Sequence, residues 1–330
     1  MKTVHAVVTN PGKEGICSWY RSWGVWPRIK SIKFEDAPQM FAWFSLANTD
    51  VMYLERPFMQ QHLQIIQLMK QFKIPVVIDY DDDLFKVDPS NKAAQFFNNP
   101  QTQQIMITCI QLADAITVAT EAIKKSFSLF TDEKKIHVIP NAFNNYFFQL
   151  PEEPGANPII NWRGGDSHLL DMMEVTGAIK EIHAAVAENK WKFSFMGAKA
   201  YQVLMMQHLP EFYFHGEMEN FNYHVNQANL KSAIQIYPLR DIEFNKAKSN
   251  CVWLECSMAG SVLVAPDFPE FNKPGIVNYK TPAELAARVI ELANNPELRK
   301  QKYLESKRYI EENLLVSITN KLREDVINSL

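Results

Sequence analysis

The sequence predicts an α/β fold of two Rossmann-like domains facing a cleft, with a helical C-terminal tail. Three observations lead there. Short β-branched runs alternate with longer segments of helical periodicity. The alternation stops at a proline-bearing stretch near the middle and then restarts. The chain has 330 residues, 47% of them hydrophobic, which is enough apolar material for two cores.

In the first half, strands are predicted at 3–9, 50–54, 74–79, 115–119 and 135–140. Helices are predicted over 58–72, 101–112 and 121–129. The segment 58–72 spaces Leu63, Ile66, Leu68 and Met69 as one helical face would. "PGKEG" (11–15) reads as a glycine-bearing turn. "FFQLPEEPGANP" (147–158) holds three prolines and a glycine and reads as the linker. Beyond it, strands are predicted at 159–162, 192–197, 212–216, 232–239 and 261–266. Helices are predicted over 167–187, 221–229 and 246–259, and the tail from Pro282 is helical. The domain boundaries are 1–150 for the first domain, 151–312 for the second, and 313–330 for a last helix packing back toward the first. Ligands of such sheets sit at the carboxyl ends of the strands.

The formal net charge is −3, so no global basic character points to nucleic acid or a membrane surface. The cysteines, at 17, 109, 251 and 256, form no C-x-x-C pair and match no zinc spacing. They read as reduced thiols of a cytoplasmic protein. The N-terminus reads as a strand rather than a signal peptide, and no window suits a membrane span. Neither G-x-G-x-x-G nor G-x-x-x-x-G-K-[ST] occurs, and only 11 glycines are present. These absences disfavour dehydrogenases and P-loop enzymes.

Two segments of the second half carry phosphate-binding chemistry. In "NWRGGDSHLLDMMEV" (161–175) a strand runs into Gly164 and Gly165, and Ser167 and His168 stand where donors reach an anion. An ordinary strand–turn–helix junction fits the same residues. In "YPLRDIEFNKAKSNCVWLECSMAGSVLVAPDFPEF" (237–271), Lys248 and Ser249 open a helix, which suits a diphosphate. Glu255, two turns on, suits the vicinal hydroxyls of a ribose. A plain core helix fits that segment too.

The stretch "FNKAKSNCVWLECSMAGSVLVAPDFPEF" resembles the donor-binding helix and following strand of GT-B glycosyltransferases of the family-4 type. "ADAITVATEAIKKSF" with "KIHVIPNAF" (113–143) is similar to the end of their N-terminal domain. "NWRGGDSHLLD" is similar to their opening donor-domain loop, W-x-G-[ST]-x-x-H-x-x-D. The resemblance implies a transferase that moves a sugar from a nucleotide-diphosphate sugar, a UDP-sugar first, to a hydroxyl acceptor with retention. It implies no required cofactor and no metal. Lys248 would meet the diphosphate, with Arg163 and His168 beside it as the catalytic groups. Gly164, Gly165, Ser167, Asn245, Ser249 and Glu255 would bind the donor. Glu255 matches the second glutamate of the family's E-x(7)-E, but the first is replaced by Ala247, leaving Asp241, Glu243 or Asn245 to substitute. The family's G-R-x-x-x-x-K loop is absent, and Arg163, Ser167 and His168 stand in for it.

On the acceptor side are Asp81, Asp82 and Asp83 of "VVIDYDDDLF", with Tyr20 and Arg21. The aspartates suit a structural turn, an acceptor contact or base, or a metal; the resemblance argues against the metal. "CSWYRSWGVWPRIKSIKF" (17–34) interleaves aromatics with cations, which suits stacking on a base or a sugar, or packing on the sheet. The acceptor is a glycan or small molecule. The composition is reminiscent of phage proteins, some of which glycosylate hydroxymethylated DNA, so modified DNA in a host cytoplasm is the alternative. Ala247 keeps open a non-catalytic binding module of the same fold.

Overall fold

The computed structural model describes residues 1–8, 16–36, 48–197, 212–215 and 220–330. The turn expected at 11–15 lies outside them. The described residues divide into two compact units. One comprises Met1–Tyr146, Ala247–Ser249 and Leu314–Leu330, and the other Phe147–Lys246 and Asn250–Asn313.

The first unit holds a parallel sheet formed, among the described residues, by β1 (Lys2–Val7), β2 (Ile32–Asp36), β3 (Val51–Glu55), β4 (Val76–Tyr80), β5 (Ala115–Val118) and β6 (Ile136–Val138). Their order is β2-β1-β3-β4-β5-β6. Both β3, "VMYLE", and β4, "VVIDY", are buried at every position, as expected of parallel strands covered on both faces. Between them runs α2 (Gln60–Gln71), which turns Leu63, Ile66 and Met69 inward. It follows α1 (Ile16–Arg21) and precedes α3 (Ala94–Phe97), α4 (Pro100–Leu112) and α5 (Glu121–Phe127). Asn99 caps α4 by accepting from Gln101 N at 2.8 Å, with Pro100 at the first helical position. Tyr20, Arg21 and Trp26 are buried. Trp26 stacks on Phe34 at 5.7 Å and meets Tyr53 edge-on. Here the aromatic stretch after residue 17 forms core rather than an open stacking platform.

A buried charge network lies under that core. Arg21 Nε and Nη2 donate to the two oxygens of Asp79 at 2.9 and 2.7 Å, and Nη1 donates to Ile139 O at 2.6 Å. Glu55 accepts from the hydroxyls of Ser18 and Ser22. Burial pushes its carboxyl up to about 7, against the Ser22 bond that favours the ionised form. An acid raised by folding stabilises most below the ordinary carboxylate range, and that stability is lost as pH rises through about 7. Glu55→Gln is therefore expected to flatten the pH dependence of unfolding. The wild type should lose up to about 3 kcal/mol between about pH 5 and pH 8 that the variant keeps. Parallel curves from urea melts across that range would refute the assignment.

The second unit holds β7 (Asn157–Gly164), β8 (Lys192–Gly197), β9 (Phe212–His215), β10 (Ser232–Ile236), β11 (Val262–Pro266) and β12 (Val277–Tyr279). The order is β12-β11-β10-β7-β8-β9, all parallel. The chain winds outward from β7 to β9, then returns to β10 and winds the other way. The strand order therefore reverses between β7 and β10.

The predicted helix over 167–187 is two helices, α6 (Leu169–Glu174) and α7 (Thr176–Val186), after a 3₁₀ turn at Asp166–His168. The Thr176 hydroxyl bonds back to the carbonyls of Met172 and Met173 at 3.2 and 3.0 Å, which disturbs the helical ladder at Val175. Next come α8 (Asn220–Leu230), α9 (Glu243–Lys246) and α10 (Cys251–Met258), so the helix expected over 246–259 begins only at Cys251. Lys248 and Ser249 thus precede that helix instead of opening it. Their segment finds its partners in the first unit: Ala247 O accepts from the Thr120 hydroxyl and Ser249 Oγ from Asn141, at 3.2 and 3.0 Å. The tail comprises α11 (Pro282–Asn294), α12 (Pro296–Asn313) and α13 (Val316–Asn328). Val316, Val326 and Ile327 of α13 join the core of the first unit. Among the described residues no helix is long and apolar enough to cross a membrane.

Candidate active site

In the second unit, polar side chains gather at the carboxyl ends of β7 and β10, where the strand order reverses. Arg163 lies one residue before the end of β7, and its Nε stands 2.5 Å from Oε2 of Glu255 on α10. The guanidinium also lies over the Tyr237 ring, 5.9 Å from its centroid. Glu255 has no solvent exposure. A carboxylate expected to face a ribose is therefore enclosed, because α10 buries every residue from Val252 to Met258 and Arg163 neutralises the charge this traps.

His168 continues the arrangement. Its Nδ1 is 2.9 Å from Oδ2 of Asp171, and its ring meets Tyr237 at 5.5 Å between centroids. Asp171 is buried, and its Oδ1 accepts from Arg240 N, Arg240 Nε and Asn245 Nδ2 at 3.0, 3.2 and 3.0 Å. Burial opposes its ionisation, but these bonds outweigh it and hold the carboxyl below its ordinary range. An ionised Asp171 fixes Nδ1 of His168 as the protonated nitrogen. Asp171 matches the last position of the W-x-G-[ST]-x-x-H-x-x-D pattern, whereas Tyr237 and Arg240 carry no signal in the sequence. The spacing of His168 and Asp171, three apart at a helix start, was the available signal for that pair.

Gly164 and Gly165 differ. A Cβ on Gly164 would stand 2.4 Å from the Trp162 ring and 3.1 Å from the His168 ring. On Gly165 it would meet nothing within 4 Å. Gly164→Ala is expected to cost about 1–3 kcal/mol through overpacking, with Gly165→Ala near neutral. Equal melting temperatures for the two variants would contradict this. Ser167 is exposed beside them. Of the residues considered as substitutes for the glutamate missing at Ala247, Asn245 is buried on Asp171, whereas the exposed Asp241 pairs with Lys246 at 2.5 Å. The exposed Glu243 stands 3.6 Å from the same lysine.

A cavity of about 290 Å³ opens beside Asp171 at the ends of β10, β11 and β12. It is lined by Asp171, Glu174, Asp241 and Asp267 with Leu239, Phe268, Tyr279 and Lys280.

In the first unit, the aspartates at the end of β4 are already paired. Arg56, in a left-handed conformation with φ 47°, pairs with Asp81 through Nε and with Asp82 through Nη2, the latter at 2.8 Å. Lys248 Nζ reaches Oδ1 of Asp82 at 3.0 Å. Asp83 is buried and accepts from Phe85 N at 3.2 Å, a turn-capping bond. Burial raises its pKa, against a bond from Ser126. Asp81 and Asp83 are almost enclosed, and Asp82 keeps partial exposure. Tyr20 and Arg21, expected on the acceptor side, lie in the core and in the Asp79 ion pair. Among the described residues no group of three or more His, Cys, Asp and Glu side chains stands where it could hold a metal ion.

No family model and no curated protein matches the chain. Solved structures do match. Anabaena Alr3699/HepE in complex with UDP-glucose aligns with a TM-score of 0.70 at 12% identity, over 100% of both chains. Sucrose-phosphate synthase from Thermosynechococcus elongatus aligns at 0.64 and 11% identity, over 87% of this chain and 75% of that one. TarM from S. aureus, solved with UDP and α-GlcNAc-glycerol, aligns at 0.60 and 12% identity over 84% of this chain. The alignment covers 55% of TarM, so this chain spans about half of its length. With these proteins the chain shares the α/β two-domain GT-B fold.

Proposed function

We propose that the chain is a glycosyltransferase that moves a sugar from a nucleotide-diphosphate sugar, a UDP-sugar first, to a hydroxyl of a glycan or small molecule. The observation that carries this reading is the constellation of Arg163, His168, Asp171, Arg240 and Glu255 at the strand-order reversal of the second unit. HepE and TarM, solved with UDP-containing ligands, support the choice of donor.

Breaking the anomeric C–O bond leaves an oxocarbenium-like sugar and puts negative charge on the departing diphosphate. Fixed cations and N–H dipoles stabilise that charge. Arg163, held by Glu255, supplies one cation; the sequence pattern before α10 makes Lys248 the candidate for another. The open side of Gly165 admits a phosphate close to the backbone, with Ser167 as a further donor. The carboxylates lining the cavity beside Asp171 repel phosphate, so the cavity suits the uncharged hydroxyl-bearing parts of the donor. His168, oriented by Asp171, faces the reacting sugar. In a retaining reaction the leaving phosphate takes the acceptor proton, and no protein base is required. In this reading Glu255 acts through Arg163 instead of touching the ribose.

Calorimetric titration with UDP tests the donor assignment. Arg163→Ala is expected to weaken UDP binding at least about tenfold, the loss of one charge-assisted contact. An unchanged Kd would remove Arg163 from the donor site.

A further inference from the structure

A second cavity, of about 350 Å³, opens in the first unit at the start of α2, against α3 and the start of α4. Among its lining residues are the rings of Phe58 and Phe96 and the carboxamides of Gln60, Gln95, Asn99 and Gln101; no Asp, Glu, Lys or Arg lines it. Phe96 is 45% exposed, unusual for so large an apolar side chain. It is nevertheless fixed, packed edge-on against Phe58 at 5.2 Å and Phe97 at 5.1 Å. A ring already held in place loses little freedom when something stacks on it. The side chains of Gln60, Gln95 and Gln101 make no hydrogen bond to any described residue, so each presents a donor and an acceptor together.

The histidine that caps this start of α2, His62, is uncharged as well. Phe58 N and Met59 N donate to His62 Nδ1 at 3.1 and 3.3 Å, which requires the neutral imidazole. Arg56 and Pro57, immediately before Phe58, belong to the aspartate cluster: Arg56 pairs with Asp81 and Asp82, and Pro57 O accepts from the Tyr80 hydroxyl. The cavity therefore adjoins the acceptor-side carboxylates in the chain and shares their supporting loop.

We propose that this cavity is a subsite for an uncharged oligosaccharide, the outer part of a glycan acceptor, an inference that rests on the glycosyltransferase reading. The apolar face of a sugar ring carries C–H groups with slight positive charge, which meet the negative face of an aromatic ring. Its hydroxyls, each donor and acceptor, match carboxamides. An anionic polymer finds no cation here.

Calorimetry and saturation-transfer NMR with maltohexaose, cellohexaose and chitohexaose test the proposal on the full chain. At least one should bind the wild type. Phe96→Ala should weaken it about tenfold or more, and Gln101→Ala severalfold. Both positions are exposed, and unchanged thermal melting would confirm that each variant is folded. Binding of none of the three, wild-type affinity in both variants, or tighter binding of a heparin-derived hexasaccharide would overturn it. UDP titration of the same samples separates the two readings. Oligosaccharide binding without UDP binding would sink the transferase and leave the subsite, and UDP binding without oligosaccharide would do the reverse.

Discussion

Lys248→Ala is expected to lower sugar transfer by about 100-fold or more, the usual cost of removing one fixed donor to a developing negative charge. The basis is the charge demand of the leaving diphosphate, combined with the position of Lys248 in the segment just before α10. In the structure the ammonium rests 3.0 Å from Asp82, whose other oxygen is taken by Arg56. Asp82 keeps its bond to Arg56 when the lysine is removed, so this half-buried single-contact pair contributes on the order of 1 kcal/mol to stability. A stability loss alone therefore cannot account for a large fall in turnover, and the melting temperature should barely move. Turnover within threefold of wild type would show that Lys248 serves only as a partner for Asp82.

Asp79→Ala is expected to destabilise the first unit by about 3–5 kcal/mol, because it leaves the buried Arg21 charge without a counter-ion. Arg21 is 1% exposed, and both oxygens of Asp79 are bonded to it. Burial also pushes the nearby Arg323 down to about 9, and the Arg21 charge adds to that effect, while Asp79 opposes it. One carboxylate thus serves two enclosed cations, and its removal affects both. Guanidinium melts of the variant would check this. A loss below about 1 kcal/mol would mean that water reaches Arg21 once Asp79 is gone.

These two residues show how differently the sequence reveals structure and site. The strand carrying Asp79 is legible because its apolar run is covered on both faces. The strand at Ile32–Asp36 is not, because "IKFED" alternates charged with apolar residues at a sheet edge, and Val277–Tyr279 is too short to show a period. Helix starts marked by Thr120, Asn99 and Thr281 are legible because the side chain of each does accept a backbone N–H. The start at Cys251 is obscured, since Lys248 and Ser249 look like helix-opening residues but find tertiary partners instead.

At the site, Arg163, Gly164 and His168 stand out through composition and resemblance. Asp171 shows only as the last position of the W-x-G-[ST]-x-x-H-x-x-D motif, and its contact with Arg240 is not legible because it joins residues 69 apart through a loop. Glu255 carried a usable signal: an acid flanked by Val252, Trp253, Leu254 and Cys256 must lie in an apolar wall, and a charge there needs a partner. The sequence leaves the aspartate run after β4 open between a structural turn, an acceptor contact and a metal site, because charge density does not show which partners the carboxylates meet. Only the structure shows it engaged by Arg56 and Lys248 and capping its own turn.

The most direct test is release of nucleoside diphosphate from a panel of nucleotide sugars by the purified chain in EDTA, with and without uncharged oligosaccharide acceptors. The glycosyltransferase reading predicts release of UDP from a UDP-sugar, persisting in EDTA, rising with an oligosaccharide and falling about 100-fold in Lys248→Ala. No release from any donor, despite measurable UDP binding, would contradict it and leave a nucleotide-binding module of the same fold.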